Sequence, residues 1–173
     1  YAKNKIVEIF ETPATYNNPY RRQTGRPLGQ KFGYKALGYF QLSDDLNGNG
    51  IIDSDEYNVK QPWGTVHPGD LKYQDTNKDG SITEDDMVPI GLSNIPQIVY
   101  GFSPSIRYKG FDLLLLFQGA AKRDFWIGDV GAWPFTNNSS VPKTALDVWT
   151  PNNPNARNPR VTTIPATNNT QYS

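Results

Sequence analysis

The 15 glycines, 14 prolines and many asparagines of this 173-residue chain interrupt it so often that a helix of ordinary length has almost nowhere to form. What remains is a mainly β fold class of short strands and long ordered loops, with little helix. Extended structure is expected at 3–10 and again at 31–41, KFGYKALGYFQ, with a Pro/Asn/Gly-rich loop over 12–30 between them. One helical candidate, 141–149, runs into TPNNPNARNP, where proline must stop it. An apolar share of 36% is low for a globule of this size, so burial should be thin or patchy. No feature calls for two separate domains, and the terminal TTIPATNNTQYS has the composition of an exposed tail or loop.

The clearest periodicity lies in IVYGFSPSIRYKGFDLLLLFQGA. Ile98, Tyr100, Phe102, Ile106 and Tyr108 share one face, and Val99, Gly101, Ser103, Ser105 and Arg107 the other, an alternation of period two. Lys109 and Gly110 then turn the chain into Phe111, Leu113, Leu115 and Phe117 on one face, opposite Asp112, Leu114, Leu116 and Gln118. Two strands of about ten residues and a tight turn suit a transmembrane β-hairpin. A hairpin of a soluble sandwich would carry the same pattern.

Several function classes lose their footing on composition. Charges balance at 17 against 17, so no net field draws the chain to nucleic acid or to an anionic membrane surface. The absence of cysteine removes disulfides, thiolate metal sites and a cysteine nucleophile. His67, the sole histidine, has no second imidazole for zinc and no evident Ser/His/Asp arrangement, so no catalytic residue is assigned and no enzyme activity expected. The first ten residues lack the pattern of a secretion signal and read as mid-protein. The longest apolar run, 113–117, is far short of a membrane-spanning helix, so any membrane association would use strands.

Two stretches carry the spacing of a calcium-binding loop. In the second, Asp75, Asn77 and Asp79 place oxygens at positions one, three and five, and Gly80 stands at six. Ser81 offers its carbonyl at seven, Ile82 is apolar at eight, and Asp86 supplies a carboxylate at twelve. The first begins 30 residues earlier: Asp45, Asn47 and Asn49, then Gly50, Ile51 at seven, Asp53 at nine and Glu56 at twelve. A hard cation needs about six or more oxygens, which alternate side chains can converge to supply when glycine allows the sharp turn between them. Asn/Asp/Gly clusters also form plain turns without metal. Neither loop is flanked by amphipathic helices; YNVKQPWGTVHPGD separates them, and HPGDLKYQ enters the second as a strand. A calcium sensor works by changing the angle between flanking helices, so a structural clip that staples a long loop is the better reading.

The ordered series GRPLGQKFGYKALGYFQ, HPGD, the second calcium-type loop, PIG, YGF, YKGFD, FQGA and ALDVWTPNNPNARNPR resembles the late part of SusC/RagA-type TonB-linked outer-membrane transporters, over nearly the whole chain. The resemblance implies a single partial region, 1–173, of a TonB-dependent β-barrel of about 22 strands. Such transporters import glycans, as oligosaccharides, or peptides, with a SusD-like surface lipoprotein as lid. TonB would engage parts outside these residues. Because periplasmic turns of such barrels are short and extracellular loops long, Lys109-Gly110 is placed on the periplasmic side. Residues 97–120 are then the barrel hairpin. Residues 11–95, including 31–41 and both calcium-type loops, form one extracellular excursion, and 121–173 a further extracellular loop, at the cell outer membrane.

Two other classes compete. A soluble extracellular dockerin-like calcium-binding interaction module fits the second loop, but the 30-residue spacing, the missing helices and the aromatic hairpin stand against it. A glycan-active enzyme would need paired carboxylates at suitable separation, and the acidic residues present are better used as metal ligands. Trp63, Trp126, Trp133 and Trp149 could stack on sugar rings, although tryptophans in loops more often anchor local packing.

Overall fold

The computed structural model describes residues 1–125, 141, 143–162 and 168–170, and among these strand outweighs helix. Their contacts divide the chain into two compact units, residues 1–31 with 91–125 and residues 32–90 with 126–173, where the sequence pattern had suggested one region. The single α-helix among the described residues is one turn, Pro13–Asn17, capped by Thr12. The paired helices of a dockerin-like module are not found there. No described helix is long and apolar enough to cross a membrane.

The first unit is built on the hairpin. Strands β5 (Ile98–Phe102) and β6 (Ser105–Tyr108) run out to the turn, and β7 (Phe111–Leu114) and β8 (Phe117–Ala121) return. One register serves all four, from Ile98 opposite Ala121 to Tyr108 opposite Phe111. Lys109 and Gly110 both take positive φ, 47° and 86°, the conformation of a two-residue turn whose twist matches the strands. The ladder is interrupted at Pro104, which has no N–H to donate, but its carbonyl still accepts from Leu115 at 3.0 Å and the register survives.

The alternation read from the sequence therefore becomes two faces of one ribbon. Tyr100, Phe102, Ile106, Tyr108, Phe111, Leu113 and Phe117 lie on one face. On the other, Arg107 directly opposes Asp112 with a bidentate ion pair at 2.5 and 3.1 Å. Phe102 and Phe117 stack across the strands at 6.3 Å, and the Tyr100 ring lies over Gly119, where a Cβ would collide with it. Phe102 and Tyr108 are each 65% exposed, so this face is not a core within the described residues.

The expected strand at 3–10 does not form. Only Ile6 exchanges both backbone bonds with a partner, donating to Arg26 and accepting from Gly25, each at 2.8 Å. The opposing stretch is broken by Pro19, Gly25, Pro27 and Gly29, so it offers one bonded pair and no ladder. Glu11 instead anchors the loop: its Oε1 accepts from the Thr24 N–H at 2.8 Å, the Gln23 N–H at 2.8 Å and the Thr24 hydroxyl at 3.0 Å. The Thr24 amide is the largest cause holding the Glu11 carboxyl below its ordinary pKa.

The stretch 31–41, which belongs to the second unit from Phe32 on, is extended as expected, but in two pieces. Strand β1 (Lys31–Gly33) pairs with β4 (Val88–Ile90), and β2 (Ala36–Tyr39) pairs antiparallel with β3 (Leu71–Tyr73) across a bulge at Leu37. Tyr34, Tyr73 and Ile82 form a small buried core against Trp63, Val59, Leu71 and Met87. Tyr34 and Trp63 meet edge-on at 4.9 Å, and Trp63 and Tyr73 at 5.3 Å. The helical candidate at 141–149 shrinks to a 3-10 turn, Lys143–Leu146. Beyond it Val148 and Trp149 are drawn into a bridge with Asn158, which competes for the same backbone groups. Trp149 packs on Gly69, where a Cβ would fall 2.7 Å from the indole Cδ2. Trp63 and Trp149 are thus packing anchors; Trp126 and Trp133 lie outside the described residues.

Burial, reinforced by Asp70 and Tyr34, pushes the Tyr73 phenol above its ordinary range. The folded state then favours the neutral phenol, so this contribution is intact below the ordinary tyrosine pKa and is lost as pH rises through the elevated folded value. Stability is expected to be level up to about pH 9 and then to fall by up to about 1.4 kcal/mol per pH unit per such tyrosine. Tyr73→Phe should be less stable at neutral pH, having lost its hydroxyl bond to Asn168 O, yet show a shallower alkaline decline. Urea midpoints measured across that pH range test both effects.

Candidate metal centre

The two Asp/Asn/Gly stretches fold into the same object. In each, the first carboxylate gathers the turn: Asp45 accepts from the N–H groups of Gly48 at 2.7 Å, Asn49 at 3.2 Å and Gly50 at 2.8 Å. Asp75 accepts from Lys78 at 2.6 Å and Gly80 at 2.8 Å. The amide oxygens of Asn47 and Asn77 take the N–H of Asn49 and Asp79. Asn49 and Asp79 in turn take those of Ile51 and Ser81. These side chains prefer to satisfy nearby backbone rather than extend a ladder, which is why this composition folds into a turn here.

The twelfth residue closes each loop. Glu56 accepts from Leu46 at 2.6 Å and Asn47 at 3.0 Å through Oε1, and from Asp53 at 2.9 Å through Oε2. Asp86 repeats this with Thr76 at 2.7 Å, Asn77 at 3.2 Å and Thr83 at 2.8 Å. Asp86 does this with a shorter side chain; it is fully buried and ends a 3-10 turn capped by Thr83. Position six is glycine at φ 80° in one loop and 84° in the other.

The oxygen set suits a hard cation. Asp45, Asn47, Asn49, the Ile51 carbonyl, Asp53 and Glu56 would serve in the first loop, and Asp75, Asn77, Asp79, the Ser81 carbonyl and Asp86 in the second. Asn47 and Asn49 both donate to Asp53 Oδ2, at 3.1 and 3.0 Å, so side chains three, five and nine meet at one point. Asn77 reaches Asp79 Oδ2 at 2.8 Å in the same way. Among the described residues no three carboxylates or imidazoles group as a metal site by themselves, so amide and carbonyl oxygens would have to complete either set.

The loops do not pair with each other at position eight. Ile52 donates to the Val66 carbonyl at 2.9 Å, and Ile82 to the Lys60 carbonyl at 2.8 Å, so both are clamped to the segment between them. His67 Nδ1 adds a bond to Gly50 O at 2.6 Å.

What sequence reasoning missed is a buried polar cluster at the centre of that segment. Asp70, 1% exposed, receives Arg160 Nε at 2.6 Å and Nη2 at 3.1 Å, Asn169 Nδ2 at 2.8 Å and the His67 N–H at 2.9 Å. Its neighbours extend the network. Gln61 Nε2 donates to Leu71 O at 3.0 Å and Asn168 Oδ1 at 2.6 Å, while its Oε1 accepts from Tyr73 N at 2.9 Å. The available signal was the HPGD turn followed 90 residues later by ARNPR, a separation at which spacing carries no information.

The chain is similar to three TonB-dependent receptors of Formosa agariphila. They are 31% identical over 74% of the chain, 25% over 91% and 27% over 68%. These relatives support the TonB-dependent receptor family. No family model matches the chain. The chain spans 12%, 16% and 14% of the lengths of the three relatives.

Removing Asp86, itself fully buried, takes the acceptor from three part-buried amides, so Asp86→Ala is expected to destabilise by about 3 kcal/mol even with chelator present. Asp79→Ala frees two exposed donors, the Ser81 N–H and the Asn77 side-chain amide, which water can satisfy, and should cost less than about 1 kcal/mol under the same conditions. Arg160→Met leaves Asp70 buried without its counter-ion and should cost about 3–5 kcal/mol. Denaturant unfolding in excess chelator ranks the three.

Proposed function

We propose that this chain is part of an outer-membrane TonB-dependent importer of the SusC/RagA kind, contributing one hairpin of the barrel wall and calcium-stapled loops on the extracellular side. The observation that carries the reading is the hairpin, whose single register puts an unbroken apolar face opposite one holding the Arg107–Asp112 pair. Its 11 residues per arm, counted from Ile98–Tyr108, match the roughly 9–11 needed to cross a bilayer as a tilted strand. A lipid-facing exterior and a polar interior are what such a barrel requires of alternate residues. The relatives support the same assignment at the level of the receptor family.

In this reading the unit holding residues 32–90 belongs to the long outer excursion, and calcium at its two loops is structural. The transported substrate is a glycan or a peptide, the lid a SusD-like lipoprotein, and TonB acts on parts of the receptor outside these residues.

Calorimetry on chelator-stripped protein should show calcium binding at up to millimolar concentration; no heat at either loop would remove the cation from the account. Asp79→Ala should lose stability chiefly in calcium, because metal bound to the native state alone stabilises it in proportion to the logarithm of concentration over Kd. Equal differences with and without chelator would refute that mechanism.

The hairpin gives a separate test. Phe102→Ser with Tyr108→Ser should make the isolated chain more soluble or less oligomeric, because these side chains form an exposed strip rather than a core. Unfolding of a monomer instead, read by light scattering and thermal melting, would identify the strip as a conventional core.

A further inference from the structure

Strand β3 has an edge that is covered, but by no strand among the described residues. Its residues alternate: Asp70 O, Lys72 and Gln74 N face β2 and the Lys35–Phe40 stretch, so the backbone groups of Leu71 and Tyr73 point the other way. A third strand would ordinarily take them. Here side chains do. Leu71 N donates to Asn169 Oδ1 at 2.9 Å, and Leu71 O accepts from Gln61 Nε2 and Asn168 Nδ2, both at 3.0 Å. Tyr73 N donates to Gln61 Oε1 at 2.9 Å, and Tyr73 O accepts from the Tyr57 hydroxyl at 3.3 Å. Asn168 is itself 1% exposed and takes the Tyr73 hydroxyl on its carbonyl at 2.6 Å.

This amide clamp holds the second loop from both sides. Asp75, the first loop residue, follows Tyr73 by two positions, so the clamp fixes the loop's entry. Gln61 follows Lys60, whose N–H and carbonyl bond Gly80 O and Ile82 N at 2.9 and 2.8 Å, so the clamp also fixes the loop's midpoint. The first loop has neither connection: it is entered from the 3-10 turn Leu42–Asp44, and its midpoint pairs with Val66.

We propose that the Gln61–Asn168–Asn169 clamp sets the cation affinity of the Asp75 loop and leaves that of the Asp45 loop alone. The proposal rests on the cation reading given above. A loop already held in its binding geometry has less ordering left to do when the cation arrives, and its apparent Kd rises in inverse proportion to the fraction of molecules that keep that geometry. Coupling of this kind is reciprocal, so cation binding tightens the clamp by the same factor.

Calcium titration followed by the amide resonances of Gly80 and Gly50 reads the loops separately, because these amides donate to Asp75 and Asp45 respectively. Asn168→Asp keeps the acceptor for Gln61 while removing the amide donor to Leu71 O, and Asn168→Ala removes both of these side-chain contacts while leaving those of Gln61 and Asn169 with β3. The expected result is a Kd at Gly80 weakened about tenfold in Asn168→Ala, and by at least as much in Asn168→Asp, whose buried carboxylate would face Leu71 O. Kd at Gly50 should stay within about twofold, and calcium should slow hydrogen exchange at the Leu71 and Tyr73 amides. Faster exchange at Leu71 in Asn168→Asp with an unchanged Gly80 titration would overturn the coupling and leave the cation sites standing. Equal weakening at both glycines would show general destabilisation and overturn it too. If neither glycine responds to calcium in the unsubstituted chain, the cation reading itself falls and the coupling with it.

Discussion

The carboxylate of Asp70 is the point on which the second unit turns. It is buried, and it is offered four hydrogen bonds: two from one guanidinium, one from a side-chain amide and one from the His67 backbone. Its own backbone carbonyl accepts from Phe40, while Phe40 O accepts from Gly69. A buried carboxylate is costly unless its lone pairs are filled, so the segments carrying those donors must be in place together. Through this residue the HPGD turn ties β2 to β3, holds Arg160 of the ARNPR stretch, and draws in Asn169. The proximity of Gly69 to the Trp149 indole fixes the far side of the same turn.

That arrangement explains how a chain with so few apolar residues holds a defined shape. The buried apolar cluster has three members, two of them tyrosines whose rings supply area while their hydroxyls need partners. The remaining specification comes from side chains that bond backbone: Gln61, Asn168 and Asn169 on β3, Asp45 and Asp75 on their turns, and Glu56 and Asp86 at the loop ends. Each such bond is worth roughly 1 kcal/mol net, but leaving one unmade in a dry site costs more, so the network is more specifying than it is stabilising.

What could be read in the sequence was local. The alternation in 98–117 and the Lys109-Gly110 turn needed only neighbouring residues, and the observed register follows them, with Pro104 breaking the ladder for the reason proline always does. The two Asp/Asn/Gly loops were legible because position within a twelve-residue repeat decides which amide each oxygen can reach. Failures came where the deciding partner was remote. Residues 3–10 look like a strand in isolation, but the segment facing Ile6 is too broken to ladder with it. Residues 141–149 look helical until Asn158 competes for Trp149. The Asp70–Arg160 pair joins positions 90 residues apart, and nothing in either stretch announces the other.

The likeness of the two loops also hides an asymmetry that their surroundings create. The bonds that close them match, the twelfth residue of each taking the N–H groups of positions two, three and nine, so spacing alone would make them equivalent. Ile82, at position eight of the second loop, is fully buried beside Tyr73, whereas Ile52, its counterpart, is half-buried. Glu56 closes its loop from partly exposed surroundings and Asp86 from a dry one. The first loop is therefore docked on the edge of the unit by Val66 and His67, while the second is built into its core. Because neither loop pairs with the other, the segment between them, residues 57–70, becomes the spine both depend on. Its prolines and glycines, which as sequence read only as a linker, place Lys60, Val66 and Asp70 where each loop and β3 need a partner.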